Sequence, residues 1–478
     1  MARLVAVSNR LADPRRTAAG GLAVALGPAL NDTGGLWFGW SGRIVDNHTD
    51  PAQLARPHLR QTGNVTLATV DLTQADHDHY YLGYANSVLW PVFHYRLDLA
   101  EFRTDFLDGY LRVNRQFAQA LKPLLRDDDI IWVHDYHLIP LAHELRQLGV
   151  TNRIGFFLHI PLPPPLILAA LPAHDWLLRS LFAFDVVGLQ SQADLAHFSR
   201  YVTAEARAEV LPGYRFRAFN REMRAQAFPI GIDVGEFRQL AAGDEAVETF
   251  RRTSDEYSKR RLLVGVDRLD YSKGLPQRVQ AFHEVLKRYP EHRRSATLIQ
   301  IASPTRESVE AYAQIRRQLE SLCGAINGEY GELDWMPVRY LHRTVARKRL
   351  PGLYRASRVG LVTPLRDGMN LVAKEYVLAQ DPADPGVLVL SRFAGAAEQM
   401  PQALLVNPYD TPATADTIER ALRMPLAERV ERHRLLLDTV EKQDVRWWLR
   451  NFLAALAPDE APDTAGLETR PAAVVPTA

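Results

Sequence analysis

Short apolar runs of strand length recur through this chain, each ending in a polar turn and followed by a stretch of helical length. Residues 4–7, 130–133, 154–158, 262–266, 297–301, 359–362 and 387–390 are of this kind. Apolar runs of about four to eight residues read as strands buried on both faces. Strands alternating with helices predict a parallel, doubly wound α/β sheet, with ligands at the carboxyl ends of the strands. The alternation pauses at Pro229-Ile230-Gly231-Ile232-Asp233 and restarts after a charged helical segment over 244–261. Two α/β halves of similar size follow, and a cleft between such halves is the usual place for a ligand.

Size agrees with this division, because 478 residues exceed one ordinary core. Lys and Arg number 57 against 56 Asp and Glu, a formal net charge of +1. Such a balance gives no whole-protein field for nucleic acid or an anionic membrane, so anion affinity has to come from local clusters. Cys323 is the only cysteine, which excludes an intrachain disulfide and a cysteine-rich metal site. It is expected as a reduced structural thiol within a helix. Residues 1–10 lack the apolar stretch of a secretory leader, and no apolar run reaches membrane-spanning length. The expectation is a cytoplasmic protein. After 458 the chain turns rich in Pro, Ala, Thr and acids, the composition of a disordered tail.

Most chemistry is concentrated in Thr363-Pro364-Leu365-Arg366-Asp367-Gly368-Met369-Asn370-Leu371-Val372-Ala373-Lys374-Glu375. It follows a strand and opens a helix over 370–380, with Gly368 freeing the turn and Asn370 able to cap the helix. Asp367 is thus thrown up at a strand end facing a helix N-terminus, a place that suits a sugar diphosphate. Asp367 would hold a sugar hydroxyl, and Glu375, two helical turns deeper, a ribose diol. An ordinary strand–turn–helix with a capping Asp fits the spacing equally.

The second half opens with Val266-Asp267-Arg268-Leu269-Asp270-Tyr271-Ser272-Lys273-Gly274. Arg268 and Lys273 are two cations after a strand. They either neutralise a leaving diphosphate or pair with Asp267 and Asp270 in a solvated turn. No Walker A string is present, which argues against a P-loop nucleotidase. His134, Asp135 and His137 look ligand-like, but side chains at a strand end alternate in direction and need not converge. Asp76-His77-Asp78-His79 reads as a solvated loop. Residues 4–7, a polar loop, Gly20-Gly21-Leu22 and a helix over 22–30 make a strand–glycine loop–helix opening of the type that receives phosphate. Arg10, Arg306, Tyr81, Asp135 and Trp90 are scattered, and sequence alone does not bring them together. Two arginines and a tyrosine would suit a phosphomonoester, and Trp90 would give a flat apolar wall.

Ser8-Asn9-Arg10, Gly20-Gly21-Leu22, Leu89-Trp90-Pro91, His134-Asp135-Tyr136-His137-Leu138, Phe157-Leu158-His159-Ile160-Pro161, the 268–274 string and Asp367 to Glu375 keep one order along the chain. Together they resemble the trehalose-6-phosphate synthase family, over about residues 4–452. The resemblance implies a GT-B fold, two Rossmann-like doubly wound domains facing across a cleft. Residues 1–233 would form the acceptor domain, 234–443 the nucleotide-sugar domain, and 444–457 a helix crossing back to the first domain. It implies a retaining transfer of glucose from a nucleoside diphosphate donor, UDP-glucose or its GDP or ADP counterpart, to glucose 6-phosphate, with no metal or other cofactor. A homo-oligomer, dimer or tetramer, is also implied.

By the same resemblance, Gly20, Gly21, Arg268 and Lys273 bind the donor diphosphate. Asp367 and the backbone of Met369, Asn370 and Leu371 hold the glucose. Leu371 and Val372 also lie near the phosphates, Ala373 and Lys374 belong to the same donor-binding set, Glu375 takes the ribose, and Val345 lies beside the base. His159 contacts the donor glucose near the anomeric carbon. Arg10, Tyr81, Asp135 and Arg306 hold the acceptor, and Trp90 shapes its pocket. No carboxylate stands out as a nucleophile, so front-face substitution is expected, helped by positioning and fixed cations. The rival readings are a relative with another acceptor such as glycerol 3-phosphate, a nucleotide-sugar epimerase or hydrolase, and a non-catalytic sugar-phosphate sensor.

Overall fold

The computed structural model describes residues 2–11, 26, 30, 34–305 and 310–457. The expectations for Gly20, Gly21 and Arg306, for the helix over 22–30 and for the tail lie outside the described residues or almost wholly so.

The first sheet contains β1 (Leu4–Arg10), β2 (Gly35–Val45), β3 (His58–Thr62), β4 (Val65–Thr73), β5 (Ile130–His134), β6 (Arg153–Phe157), β7 (Val186–Leu189), β8 (Glu209–Leu211), β9 (Arg215–Ala218) and β10 (Arg221–Ala227). They run in the order β3-β4-β2-β1-β5-β6-β7-β10-β9-β8. From β4 to β10 neighbours are parallel. The edges depart from the parallel expectation: β3, β9 and β8 are antiparallel additions. The cause is local at β9 and β10. Phe219 and Asn220 between them have φ of 51° and 57°, the double positive φ of a tight two-residue hairpin.

The second sheet is parallel throughout. It contains β11 (Arg261–Arg268), β12 (Ala296–Ser303), β13 (Val338–Leu341), β14 (Val359–Val362), β15 (Val387–Ser391) and β16 (Leu404–Val406), in the order β13-β12-β11-β14-β15-β16. In both sheets the winding reverses beside the first strand, between β1 and β5 and between β11 and β14. Each reversal splays neighbouring loops apart and leaves a crevice at the carboxyl ends, where open α/β sheets bind ligands.

The helix Val445–Leu456 returns to the first sheet. Asp444 Oδ1 caps it by accepting from Trp447 N at 2.7 Å. Its buried face meets β5 and β6: the Trp448 and Phe452 rings lie 4.8 and 4.4 Å from Trp132, and Trp448 lies 5.0 Å from Phe157. Gly155 and Gly188 make the room, since a Cβ on either would come within 2.8 Å of the Phe452 ring. Before docking, this segment runs against the linker between the sheets. Val445 N donates to Ile232 O at 3.0 Å, and a Cβ on Gly231 would sit 2.3 Å from the Asp444 backbone.

One local expectation is corrected. Asp76-His77-Asp78-His79 is helical rather than a solvated loop. Thr73 caps the turn Gln74–Asp76, Asp76 pairs with Arg112 at 2.7 Å, and the π-helix His77–Leu89 follows. Its buried aromatic side packs on the helix Thr104–Leu121, with Tyr84 and Tyr110 at 4.9 Å, and that packing overrides the polar local sequence. Cys323 is buried in the helix Glu310–Tyr330, and burial pushes its thiol up to about 12. No helix among the described residues is long and apolar enough to cross a membrane.

Candidate active site

At the reversal of the second sheet, Arg268 ends β11 and Lys273 closes the short turn Tyr271–Lys273. Gly274, at φ 64°, then lets the chain pass close to β14, where a Cβ would meet Thr363 O at 2.4 Å. Leu365 N donates to Ser272 O at 2.7 Å, so the two loops are pinned side by side. Lys273 Nζ consequently meets Asp367 Oδ2 at 2.5 Å, and Asn370 Nδ2 donates to the same oxygen at 2.9 Å. Burial works to raise the Asp367 carboxyl, but the Lys273 ammonium outweighs it and holds the group below the usual carboxylate range.

Neither cation is spent on the acids beside it. Asp267 is paired with the buried Arg278 at 2.7 Å. Asp270 accepts from Ser272 N at 2.9 Å and Tyr312 Oη at 3.0 Å. Arg268 stays exposed, its guanidinium 5.6 Å from the Trp90 ring centroid. The solvated-turn alternative therefore does not describe this loop.

Asn370 does not cap its helix as expected. At φ 76° and ψ 91° its side chain turns back to Asp367, and the helix Leu371–Ala379 begins with no side-chain cap. Such a backbone is strained for a non-glycine residue, and strain of this kind collects at functional sites. Met369 is buried and its carbonyl accepts from Ala396 N at 2.9 Å, which fixes the turn. Leu371, Val372, Ala373 and Val345 pack in or against one core cluster. Lys374 points elsewhere: its Nζ donates to Ile230 O at 2.6 Å and Gln399 Oε1 at 2.7 Å, tying the helix to the linker. Burial lowers the Lys374 ammonium to about 7. Glu375 is half-buried, and burial raises it to about 7 against the opposing pull of Arg347.

The reversal of the first sheet gathers the other set. Arg10, at the end of β1, lies 5.5 Å from the Trp40 ring, and glycine at 42 leaves its guanidinium space. Tyr81 stacks on His137 at 5.9 Å and leans on Trp40 at 5.9 Å and His77 at 5.5 Å. Asp135, directly after β5, has φ 75° and ψ 165°, a region that ordinarily belongs to glycine. Its Oδ1 accepts from His159 N at 3.2 Å, so the ends of β5 and β6 are joined. His134 turns to His159 while His137 turns to Tyr81, the divergence expected of neighbours at a strand end. Among the described residues no group of three or more His, Cys, Asp or Glu is placed to hold a metal ion.

The two sets face each other at close range. A Cβ on Gly368 would stand 2.3 Å from His159 O. Arg366 lies 4.6 Å from the Tyr95 ring and 3.6 Å from Asp194. Glu398 accepts from Gln192 N at 2.8 Å and Ala193 N at 3.1 Å, capping from the second half the helix Gln192–Glu205 of the first. His94 was not anticipated. It is buried against Trp90 at 4.2 Å, Nδ1 faces Trp90 O at 2.7 Å, and it feels the charges of Asp270, Lys273 and Asp367. Burial lowers it to about 4. Its position four residues after Trp90 in a helical stretch was the available signal. Trp40 and Arg347, also missed, carry no such spacing.

Known proteins share this arrangement along nearly the whole chain. Residues 8–458 match the model of glycosyltransferase family 20. Trehalose-6-phosphate synthase of Sinorhizobium fredii is 50% identical over 457 residues, covering 95% of this chain and 98% of that protein. The crystal structure of an α,α-trehalose-phosphate synthase (UDP-forming) from Burkholderia xenovorans in complex with glucose-6-phosphate superposes with a TM-score of 0.90. It is 48% identical and the match covers 95% of this chain and 100% of that one. The Escherichia coli enzyme bound with UDP-2-fluoro glucose gives a TM-score of 0.90 at 48% identity, over 95% and 99% of the two chains. Two doubly wound sheets, a helix returning from the second to the first and a cleft lined from both make this a GT-B fold. On sequence, architecture and coverage alike, the chain belongs to glycosyltransferase family 20.

Proposed function

We propose that this protein transfers glucose with retention from UDP-glucose to glucose 6-phosphate, forming α,α-trehalose 6-phosphate, with residues 1–233 as the acceptor half and 234–443 as the donor half. One observation carries the reading: the Lys273–Asp367 pair at 2.5 Å lies in the crevice of the second sheet, and Arg268 of the same loop reaches the Trp90 ring of the first half at 5.6 Å. The ligands bound by the Burkholderia and Escherichia relatives are of the same two classes.

Lys273 and Arg268 receive the diphosphate and carry its growing charge as the glycosidic bond parts, the point at which fixed cations accelerate most. Asp367, kept ionised by Lys273, accepts hydrogen bonds from glucose hydroxyls, and the uncapped N-terminus of the helix Leu371–Ala379 faces the phosphates. Arg10 and Tyr81 take the acceptor phosphate together with Arg306, Asp135 takes acceptor hydroxyls, and Trp90 forms the wall between the two sugars. His159 touches the transferred glucose. With reacting atoms held on one face, the leaving phosphate oxygen takes the proton of the attacking anomeric hydroxyl.

Initial rates with UDP-, GDP- and ADP-glucose, each with and without glucose 6-phosphate, test the reading. Rapid UDP release only when both UDP-glucose and glucose 6-phosphate are present is expected. Equal release without acceptor would point to a hydrolase. Thorough chelation of divalent ions is expected to leave the rate unchanged, and a rate that collapses and returns with Mg²⁺ would remove the diphosphate role from Lys273 and Arg268.

Glu375 gives a pH signature. Its carboxyl titrates near 7, and a ribose diol is best held by two acceptor oxygens, hence by the ionised form. Apparent donor affinity is therefore expected to rise as pH increases through about 7. Glu375→Gln should weaken donor binding about 10- to 100-fold and abolish that limb of the kcat/KM profile. An unchanged limb in this variant would assign it to another group.

A further inference from the structure

His134 Nδ1 and His159 Nε2 are 3.2 Å apart, with no charged group between them. His134 is fully buried, and its other nitrogen, Nε2, has no hydrogen-bond partner among the described residues. The rings around it are aromatic: Trp132 at 4.6 Å and Trp448, from the returning helix, at 6.3 Å. Both indole nitrogens are likewise buried without an acceptor among the described residues. An indole N–H donates and cannot accept.

We infer that His134 is a positioning residue that fixes the tautomer of His159, so that His159 presents Nδ1–H to the cleft. The inference rests on the reading that His159 touches the transferred glucose. Burial holds both imidazoles far below the ordinary histidine range, so both are neutral and one proton lies between the facing nitrogens. That proton has two possible owners. If His159 Nε2 held it, His134 would carry its own on Nε2, a buried N–H among groups that offer no acceptor. If His134 Nδ1 holds it, His134 Nε2 is a bare lone pair beside two donor indoles, and no histidine N–H is orphaned. The second assignment is the better satisfied one. It leaves the proton of His159 on Nδ1, the nitrogen of this half-buried residue not engaged by His134. A donor there suits a sugar oxygen, which a bare nitrogen at the same place could not serve except by accepting.

The arrangement also explains why a fully buried polar side chain sits at the end of β5, under the last helix, where a phenylalanine would pack as well. It makes the returning helix part of the site's support, since Trp448 lies 6.1 Å from the His159 ring as well as against His134.

The test combines spectroscopy on the intact enzyme with two variants. In protein labelled with ¹⁵N-histidine, His159, assigned by difference against His159→Gln, is expected to show a protonated Nδ1 and an unprotonated Nε2. His134→Phe, which keeps ring packing and removes the donor, should lower kcat about 10- to 100-fold with acceptor KM little changed. His134→Asn, whose amide nitrogen can stand in for Nδ1–H, should recover most of that loss. A His159 carrying its proton on Nε2 in the wild-type enzyme overturns the inference even if no variant folds. So does a His134→Phe enzyme of wild-type kcat. Full turnover by His159→Ala would instead refute the contact between His159 and glucose, while the nitrogen spectrum still decides the tautomer.

Discussion

Replacing Lys273 by alanine is expected to lower kcat about 10²- to 10³-fold while acceptor KM changes little, because the lost group acts on charge that exists mainly in the transition state. The effect has two parts. The first is the ammonium itself, a fixed positive charge held by a pinned loop and needing no reorganisation as the diphosphate departs. The second is Asp367. With Lys273 at 2.5 Å it is held ionised despite burial; without it, only the weaker influences of His94 and of Asn370 Nδ2 at 2.9 Å remain to counter that burial. The Asp367 pKa should therefore rise in the variant. A carboxylate needed in its ionised form then loses its charge as pH falls, so the variant should acquire a second acid limb in kcat/KM, beside the one that Glu375 gives the wild type. Arg268→Ala should show a smaller version without that limb, since Arg268 is exposed and faces Trp90 rather than an acid. Steady-state rates and pH profiles of the two variants check this directly. A Lys273→Ala enzyme with wild-type kcat would show that the cation is not used in the step.

Trp448→Ala is expected to cost about 3–5 kcal/mol of stability, the range for truncating a large buried aromatic side chain. Trp448 is fully buried between Trp132 and Phe157, and its helix buries Phe452 and Leu456 on the same sheet. Gly155 and Gly188 are shaped to that face, so the cavity left by truncation cannot close by a small shift of β6 or β7. Urea melts followed by far-UV circular dichroism, with turnover measured in parallel, provide the check. A loss below about 1 kcal/mol, the size of an exposed-site substitution, would mean that the helix is held by its linker alone.

The sequence exposed the parallel strands because burial on both faces writes each of them as a continuous apolar run, as in Ile130-Ile131-Trp132-Val133 and Val359-Gly360-Leu361-Val362. The antiparallel edges escaped because 209–227 is short, charged and buried on one face at most, so nothing marked it apart from a loop. The 367–375 turn was legible as a ligand-facing strand end, but Asn370 was not. The turn leading into it is pinned through Asp367 to Ala394 and through Met369 to Ala396, contacts no local window contains. Asp135 is similar: its unusual backbone depends on the Phe157 carbonyl, which accepts Asp135 N at 2.8 Å. Lys374 shows the converse. The motif places it among donor residues, whereas its ammonium reaches Ile230 in the linker. The proposed acceptor set was invisible to spacing because Arg10, Tyr81 and Asp135 come from three separate elements, the ends of β1 and β5 and the π-helix His77–Leu89, brought near one another by the fold.

Where the halves meet, part of the seam is built from exchangeable partners: Glu398 on two backbone amides, Arg366 near Asp194, and a bare glycine against the His159 carbonyl. Water can replace each of these when they part. Their rupture should therefore add little to the heat-capacity change of opening, so this share of its cost varies gently with temperature. Release of two charged products in every cycle would then meet about the same resistance from these contacts in the cold as at warmth.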